Sequence, residues 1–114
     1  MKDFLYTIKD SATIADALLV ITENRHGAVI VVDSEYRLAG VVSDGDLRRA
    51  MVKGATSLTP LYKILNPNVI SITEKGSQEE SSRIFKKHIE INLVPIIDGN
   101  NCVRYVIPRT PATH

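Results

Sequence analysis

The sequence predicts an α/β fold built from two pseudo-symmetric units, and three observations support this prediction. Two apolar runs, residues 28–33 and 93–98, each end in an aspartate, and the two aspartates stand 65 residues apart. Each run follows a segment with helical periodicity and precedes a polar turn and a second apolar run. The 114 residues are 44% hydrophobic, which suits one compact domain with a packed core.

The first unit contains a helix followed by two strands. Apolar residues recur at i, i+3, i+4 and i+7 from Ile14, and Thr13 and Asp16 are placed as N-cap and capping-box partner. Strands are predicted over 28–32 and 38–42, joined by a short polar turn that suits an antiparallel hairpin. Because the run 28–32 is apolar throughout, we expect this strand to be buried on both faces and covered by helices.

The second unit repeats this order at the constant offset of 65 residues. The offset places the second helix over 79–86 and the last strand over 106–107. Ser77 and Glu80 form an S-x-x-E start signal for that helix. Residues 58–67, bracketed by two prolines, are predicted to be a linker with one short helix. The apolar face of the second helix is predicted to consist of Ser81, Ile84, Phe85 and His88.

The most informative segment is residues 40–46, Gly-Val-Val-Ser-Asp-Gly-Asp, which lies between a strand and a helix. We expect the helix to run from Asp46 to Lys53, so that its unpaired N–H groups and positive dipole end form an anion site beside the Ser43 hydroxyl. Arg48 and Arg49 add positive charge, but neighbours on a helix point about 100° apart, so at most one of them can reach a phosphate.

Composition and motifs exclude several function classes. A formal net charge of +1, without long runs of one sign, argues against a nucleic-acid backbone binder. No apolar run approaches a membrane span or a signal peptide, so a cytoplasmic protein with no membrane partner is predicted. Cys102 is predicted to be a small buried side chain, and the three histidines lack metal-ligand spacing. No nucleophile or phosphate-loop motif is present, so we predict neither catalytic nor metal-binding residues.

These residues resemble a known family, the tandem cystathionine-β-synthase (CBS) domain pair or Bateman module, over nearly the whole chain. The resemblance rests on the capped helix, the apolar strand ending in Asp33, and the pattern Gly-h-h-Ser-x-x-Asp at 40–46. It implies two β-α-β-β-α units packed through their sheets. We expect a first repeat over 1–57, a linker over 58–68, and a second repeat over 69–114 with a degenerate motif and a truncated last helix.

The resemblance also implies that an adenosine nucleotide, AMP, ADP or ATP, binds in a cleft between the repeats as a regulatory ligand, with no other cofactor required. Asp46 is expected to accept from the ribose hydroxyls, and Ser43 and the helix N–H groups to hold the phosphate. In the second repeat Tyr105, Pro108 and Pro111 replace the key motif residues, so one competent site is expected. The remaining expected site residues are Gly40, Asp44, Gly45, Arg48, Gly27, Ala28, Ile91 and Asn92, with His26 and the linker strand 69–73 at the rim.

The resemblance implies a regulatory role rather than catalysis. We expect a homodimer that controls an attached catalytic domain, C-terminal to this chain, because residues 43–50 are similar to the version of the motif found with sugar-phosphate isomerases and sugar nucleotidyltransferases. The alternative is a ligand-free dimerisation module for the attached catalytic domain.

Two other interpretations of residues 44–46 stay open at this stage. Asp44 and Asp46 could form the D-x-D motif with which glycosyltransferases hold a divalent cation, although such enzymes need a much larger chain. Alternatively, Ser43 or Asp44 caps the helix and Asp46 is a first-turn acid, with no ligand involved.

Overall fold

A computed structural model describes residues 5–110, except for the side chain of Ser77. It contains two three-stranded sheets with α-helices packed against them, as the sequence predicted. The elements in chain order are β1 (Thr7–Lys9), α1 (Ile14–Asn24), β2 (Ala28–Val32), β3 (Leu38–Ser43), α2 (Asp44–Val52), a 3-10 turn (Leu61–Lys63), β4 (Ile72–Thr73), a 3-10 turn (Glu74–Gly76), α3 (Ser77–Lys87), β5 (Leu93–Ile97) and β6 (Val103–Pro108).

The two sheets share one topology and one register. In each sheet the central strand pairs in parallel with the first strand and antiparallel with the third, in the orders β1-β2-β3 and β4-β5-β6. Ala28 lies opposite Ser43 in the first sheet, and Leu93 lies opposite Pro108 in the second. Both hairpins carry an irregularity at equivalent positions, after Val31 and after Ile96. The predicted offset of 65 residues therefore holds through both hairpins.

The two hairpin turns bond to each other across the pseudo-twofold axis. The Leu38 N–H donates to the Asn101 carbonyl at 2.9 Å, and the Val103 N–H donates to the Tyr36 carbonyl at 2.9 Å. Tyr36 and Asn101 both adopt φ of 65°, the left-handed conformation that lets each turn close after three residues. Cys102 lies at this junction, half-buried rather than fully buried as predicted, with its Sγ 3.6 Å from the Glu35 carbonyl.

The core is layered as helices, sheet, sheet and helix. One cluster, which includes Ile14 and Leu47, packs α1 and α2 on the first sheet. A second cluster lies between the sheets and includes Ile30 and Val106. The third packs Phe85 of α3 on the second sheet. Packing through the sheets and the burial of β2 on both faces are thus confirmed.

The helices depart from the offset that the hairpins follow. α1 has the predicted capping box, in which Thr13 Oγ1 accepts from the Asp16 N–H and Asp16 accepts from the Thr13 N–H. The predicted Ser77–Glu80 capping box is wrong, because α3 already begins at Ser77 and Gly76 is its N-cap. α1 and α3 both have 11 residues, but the connection from α3 to β5, residues 88–92, is longer than the connection 25–27 after α1.

Residues 58–67 do not form a free connection between the repeats. The Ile14 N–H donates to the Thr59 carbonyl at 3.0 Å, and Leu61 is fully buried in the core of the first unit. Asn66 pairs with Val41 of β3 in both directions, at 2.9 Å each. This segment therefore belongs physically to the first unit, although it contains the predicted short helix as one 3-10 turn. The predicted strand at 69–73 is shorter than expected, since β4 spans only Ile72–Thr73.

The second unit lacks a described counterpart of α2. β6 ends at Pro108, and the expectations for Pro111 and for a truncated last helix lie outside the described residues. No helix among residues 5–110 has the length and apolar character needed to cross a lipid bilayer.

Candidate functional site

The candidate site is a cleft of about 470 Å³ between the two units, within the size range of small-molecule sites. Three parts of the chain form its walls: the junction of β2, β3 and α2, the segment before β4, and the connection from α3 to β5. Apolar and polar side chains alternate around it. Its lining residues are Ala28, Val41, Ser43, Asp46, Asn66, Asn68, Val69, Ile70, His88, Glu90, Ile91, Asn92 and Leu93.

Ser43 and Asp46 form a capping box and line the cleft at the same time. α2 begins at Asp44 rather than at Asp46 as predicted, because Ser43 acts as the N-cap. The Asp46 N–H donates to Ser43 Oγ at 3.1 Å, and the Ser43 N–H donates to Asp46 Oδ2 at 3.0 Å. The capping interpretation of these residues is therefore correct as local structure. It does not exhaust them, since the Ser43 hydroxyl can still donate and a carboxylate offers about four acceptor positions.

The two arginines of α2 behave differently. Arg49 Nη2 donates to Asp46 Oδ1 at 2.7 Å, so this guanidinium is paired with the carboxylate that faces the cleft. Arg48 lies on a separate groove on the outer surface of α2, together with Gly45, Val52 and Lys53. The structure therefore does not bring Arg48 into the cleft, contrary to the prediction.

Five of the ten predicted site residues line the cleft, namely Ala28, Ser43, Asp46, Ile91 and Asn92. Gly27, Gly40, Asp44, Gly45 and Arg48 do not line it.

The two glycines before the motif have structural roles. Gly27 adopts φ of 72°, and its carbonyl accepts from the Asp44 N–H at 2.9 Å, which joins α1 to the start of α2. A Cβ at Gly40 would lie 2.5 Å from the carbonyl oxygen of Asn66. The close approach predicted at Gly40 exists, but the neighbour is residues 65–66 of the connecting segment rather than a ligand.

Sequence reasoning missed much of the opposite wall. His88 and Glu90 belong to the connection 88–92 and form a pair, with Nδ1 and Oε2 3.4 Å apart. Asn66 and Asn68 place side-chain amides in the cleft. Their polar side chains, next to Pro67, were a usable signal, whereas the position of the connection depends on where α3 ends. Among these residues, Val69 alone lies within the predicted rim at 69–73.

Arg109 holds the connection 88–92 in place. Its guanidinium donates to the carbonyls of Phe85, His88 and Ile91 at 3.0, 2.9 and 2.6 Å, and Nε donates to Asn92 Oδ1 at 3.2 Å. The same guanidinium lies 4.8 Å from the centroid of the Phe85 ring, in a cation–π contact. One side chain thus joins the C-terminal end of α3, where carbonyls favour a cation, to the wall of the cleft.

The pseudo-symmetric position on the other side of the molecule is closed by protein contacts. His26, equivalent to Ile91, places Nε2 2.9 Å from the Arg109 carbonyl. The ring of Tyr6, which precedes β1 as Ile70 precedes β4, packs edge-on against His26 with centroids 5.5 Å apart. Asn92 Nδ2 adds a bond to the His26 carbonyl at 3.1 Å. The walls that stand apart in the cleft therefore touch each other here, and His26 does not reach the cleft rim as predicted.

The charge of the cleft is unusual for an anion site. Asp46 and Glu90 contribute carboxylates, and its lining, drawn from the described residues, contains no lysine or arginine. Within residues 5–110 no cluster of three or more histidine, cysteine or acidic side chains is arranged to hold a metal ion. The chemistry on offer is hydrogen bonding and apolar contact, which suits reversible binding.

Comparison with known proteins agrees with this architecture. Residues 1–53 match the model of the CBS domain family. Arabinose 5-phosphate isomerase GutQ of Salmonella typhi is 30% identical over 90 residues, which is 79% of this chain and 28% of GutQ. An uncharacterized protein of Helicobacter pylori is 44% identical over 114 residues, covering 94% of this chain and 34% of that protein. The chain thus spans about a third or less of the length of these curated relatives.

Solved structures share the fold of the whole chain. A CBS domain protein from Pyrobaculum aerophilum complexed with AMP has a TM-score of 0.72 at 21% identity, covering 95% of this chain and 82% of that one. The cytosolic domain of the Mg²⁺ channel MgtE in complex with ATP has a TM-score of 0.70 at 22% identity, covering 92% and 42%. The chain therefore carries a CBS domain of the matched family at residues 1–53 and has, over its two repeats, the fold of a CBS domain pair.

Proposed function

We propose that this chain is a regulatory module that binds an adenosine nucleotide, AMP, ADP or ATP, in the cleft between its two repeats. The observation that carries the proposal is the placement of Ser43 and Asp46. Both line the cleft from the first repeat, while residues 88–92 of the second repeat face them. A ligand in this cleft would touch both repeats at once. Similar folds have been solved with AMP and with ATP, which supports the choice of ligand.

Each part of a nucleotide has a matching wall. The Asp46 carboxylate can accept from the two adjacent hydroxyls of a ribose, a charge-assisted type of hydrogen bond. Ser43 and the first turn of α2 offer donors and the positive end of a helix dipole to a phosphate. Val69, Ile70 and Leu93 form apolar surface for a base. Gly45 and Asp44 enter the proposal only through this first turn, since neither lines the cleft.

Regulation would follow from the bridging position of the ligand. A ligand shifts a conformational equilibrium only through its different affinities for the two states, and a nucleotide that touches both repeats can favour one relative arrangement of them. We propose that this arrangement controls an attached catalytic domain C-terminal to the chain, and that the module itself is not catalytic. The similarity to GutQ favours a sugar-phosphate isomerase as the attached enzyme, with a sugar nucleotidyltransferase as the alternative.

A homodimer in the cytoplasm is also part of the proposal. The outward faces of α1 and α2 expose Leu19, 70% accessible, and Val52, 85% accessible, and such apolar groups suit contact with a second copy. Sedimentation of the purified chain at several concentrations would test the dimer. The proposed ligand is an intracellular metabolite, which agrees with a cytoplasmic location.

The experiment compares nucleotide-dependent thermal unfolding of the wild type with that of Asp46→Ala and Asp16→Ala. Both substitutions remove the carboxylate of a capping box, but only Asp46 lines the cleft. AMP at about 100 times its Kd should add about 2.7 kcal/mol to the stability of the wild type and of Asp16→Ala, which raises Tm by several degrees. Asp46→Ala should lose this shift.

Either of two results would reject the nucleotide proposal. One is an equal shift in Asp46→Ala and the wild type, which would place binding elsewhere. The other is no shift with AMP, ADP or ATP in the wild type. That second result would favour the ligand-free dimerisation module, provided that sedimentation finds a dimer.

A further inference from the structure

We infer that the cleft selects a nucleoside carrying at most one phosphate, such as adenosine or AMP, and discriminates against ADP and ATP. The inference rests on the proposed nucleotide function and specifies its ligand class. It comes from three observations on the cleft: the sign of its charges, the number of donors at the phosphate position, and the position of Glu90.

The charged groups in the lining are acidic. Asp46 and Glu90 both line the cleft, while Arg49, the nearest arginine, already donates to Asp46 Oδ1 at 2.7 Å. Lys53 and Arg48 lie on the groove of α2 outside the cleft. A chain of phosphates would therefore extend beside carboxylates without a cation dedicated to it, although sites for nucleoside triphosphates generally supply Lys, Arg or a metal ion.

Few donors are available where the phosphate would sit. The Asp44 N–H donates to the Gly27 carbonyl, and the Asp46 N–H donates to Ser43 Oγ. Within the described part of the chain, the Gly45 N–H is left as the open amide of this first turn, beside the Ser43 hydroxyl. Two donors and one helix terminus suit a single phosphate group better than three.

Glu90 marks the side of the cleft opposite α2. Its side chain is 70% exposed and lies 3.4 Å from His88, so it is free to meet a ligand that extends outward. At about 4 Å in water, one pair of like charges weakens binding about fivefold, and salt screens the effect. Each phosphate added to AMP brings further negative charge toward Asp46 and Glu90.

The test is a calorimetric titration of the full chain with adenosine, AMP, ADP and ATP, at equal ionic strength and without divalent cations. We expect Kd for ATP to be at least about tenfold higher than Kd for AMP, and the ratio to shrink as salt is raised. Glu90→Gln should lower Kd for ATP about threefold to fivefold and leave Kd for adenosine unchanged. Glu23→Gln, an exposed acid on α1 outside the cleft lining, is the matched control and should change neither value.

The outcomes separate this inference from the proposed function. If ATP binds as tightly as AMP, or if Glu90→Gln alters adenosine and ATP binding equally, the selectivity inference is wrong while the nucleotide function stands. If none of the four ligands binds the wild type, the proposed function is wrong and the inference falls with it.

Discussion

Ser43 and Asp46 each contribute to two properties of the molecule. They satisfy the first amides of α2 through a reciprocal pair of hydrogen bonds, and they present a hydroxyl and a carboxylate to the cleft. The pair Thr13 and Asp16 satisfies α1 in the same way. A capping box by itself therefore says nothing about a ligand. What distinguishes the pair in α2 is the opposing wall from the second repeat.

Gly40 is required by packing, and its substitution should cost stability. An added Cβ would meet the Asn66 carbonyl at 2.5 Å and Leu65 Cδ1 at 2.8 Å. Gly40→Ala should lower the free energy of unfolding by about 1–3 kcal/mol, because the backbone of the connecting segment must move. Urea unfolding measures this loss. Gly99→Ala is the matched control, since nothing lies within 4 Å of its Cβ position, and equal effects of the two substitutions would contradict the packing role.

The connection 88–92 is the element that turns a pair of repeats into one asymmetric site. It is longer than its counterpart 25–27, and Arg109 holds it through bonds to Phe85, His88, Ile91 and Asn92. On the opposite side, the shorter connection lets His26 contact Tyr6 and the Arg109 carbonyl. One cleft stays open and the other is filled by side chains of the protein.

Arg109 should therefore control nucleotide affinity without touching the nucleotide. Arg109→Lys keeps the charge but cannot form the forked bonds to three carbonyls, so the connection 88–92 should loosen. We expect faster amide hydrogen exchange at Ile91 in the free protein and a Kd for AMP raised about tenfold. Exchange mass spectrometry and calorimetry provide the two measurements.

Arg83→Lys, at an exposed position of the same helix, is the control for this prediction. If both substitutions leave exchange at residues 88–92 and the Kd for AMP unchanged, the positioning role of Arg109 is refuted. A substitution at Arg109 that lowers Tm alone would mean that its contribution is to general stability.

The same elements show how far sequence reasoning reaches. Apolar runs ending in Asp33 and Asp98 located both hairpins and their register, because strand pairing and turn chemistry are local. The helices were placed less well, since α3 begins two residues earlier than the offset of 65 implies and has glycine as its N-cap. The role of Arg109 could not be predicted, because it depends on the three-dimensional distance between the end of β6 and the end of α3.

At the scale of the whole molecule, the pseudo-twofold axis runs through two equivalent turns. Asp33 and Asp98 close these turns by accepting backbone N–H bonds. The Arg37 amide lowers the pKa of Asp33 below its ordinary value of 3.8, and the Cys102 amide lowers that of Asp98 in the same way. Both carboxylates are therefore stabilised in the ionised form where the repeats meet.

Acid should weaken this junction in a defined direction. Because each pKa is lower in the folded chain than in the unfolded chain, the unfolded state takes up protons first as pH falls. The stabilisation is present above the ordinary pKa of 3.8 and is lost as pH falls through the folded value. The urea midpoint should therefore decrease between about pH 5 and about pH 3. Asp33→Asn with Asp98→Asn should flatten this decrease, whereas an unchanged slope would assign it to other groups.

The whole account depends on one open cleft per chain, and the stoichiometry of AMP binding tests it most directly. Isothermal titration of the purified chain with AMP measures the number of sites independently of Tm. The account predicts one AMP per chain, with binding abolished by Asp46→Ala and retained in Asp16→Ala. Two equivalent sites per chain, or no binding at all, would contradict it.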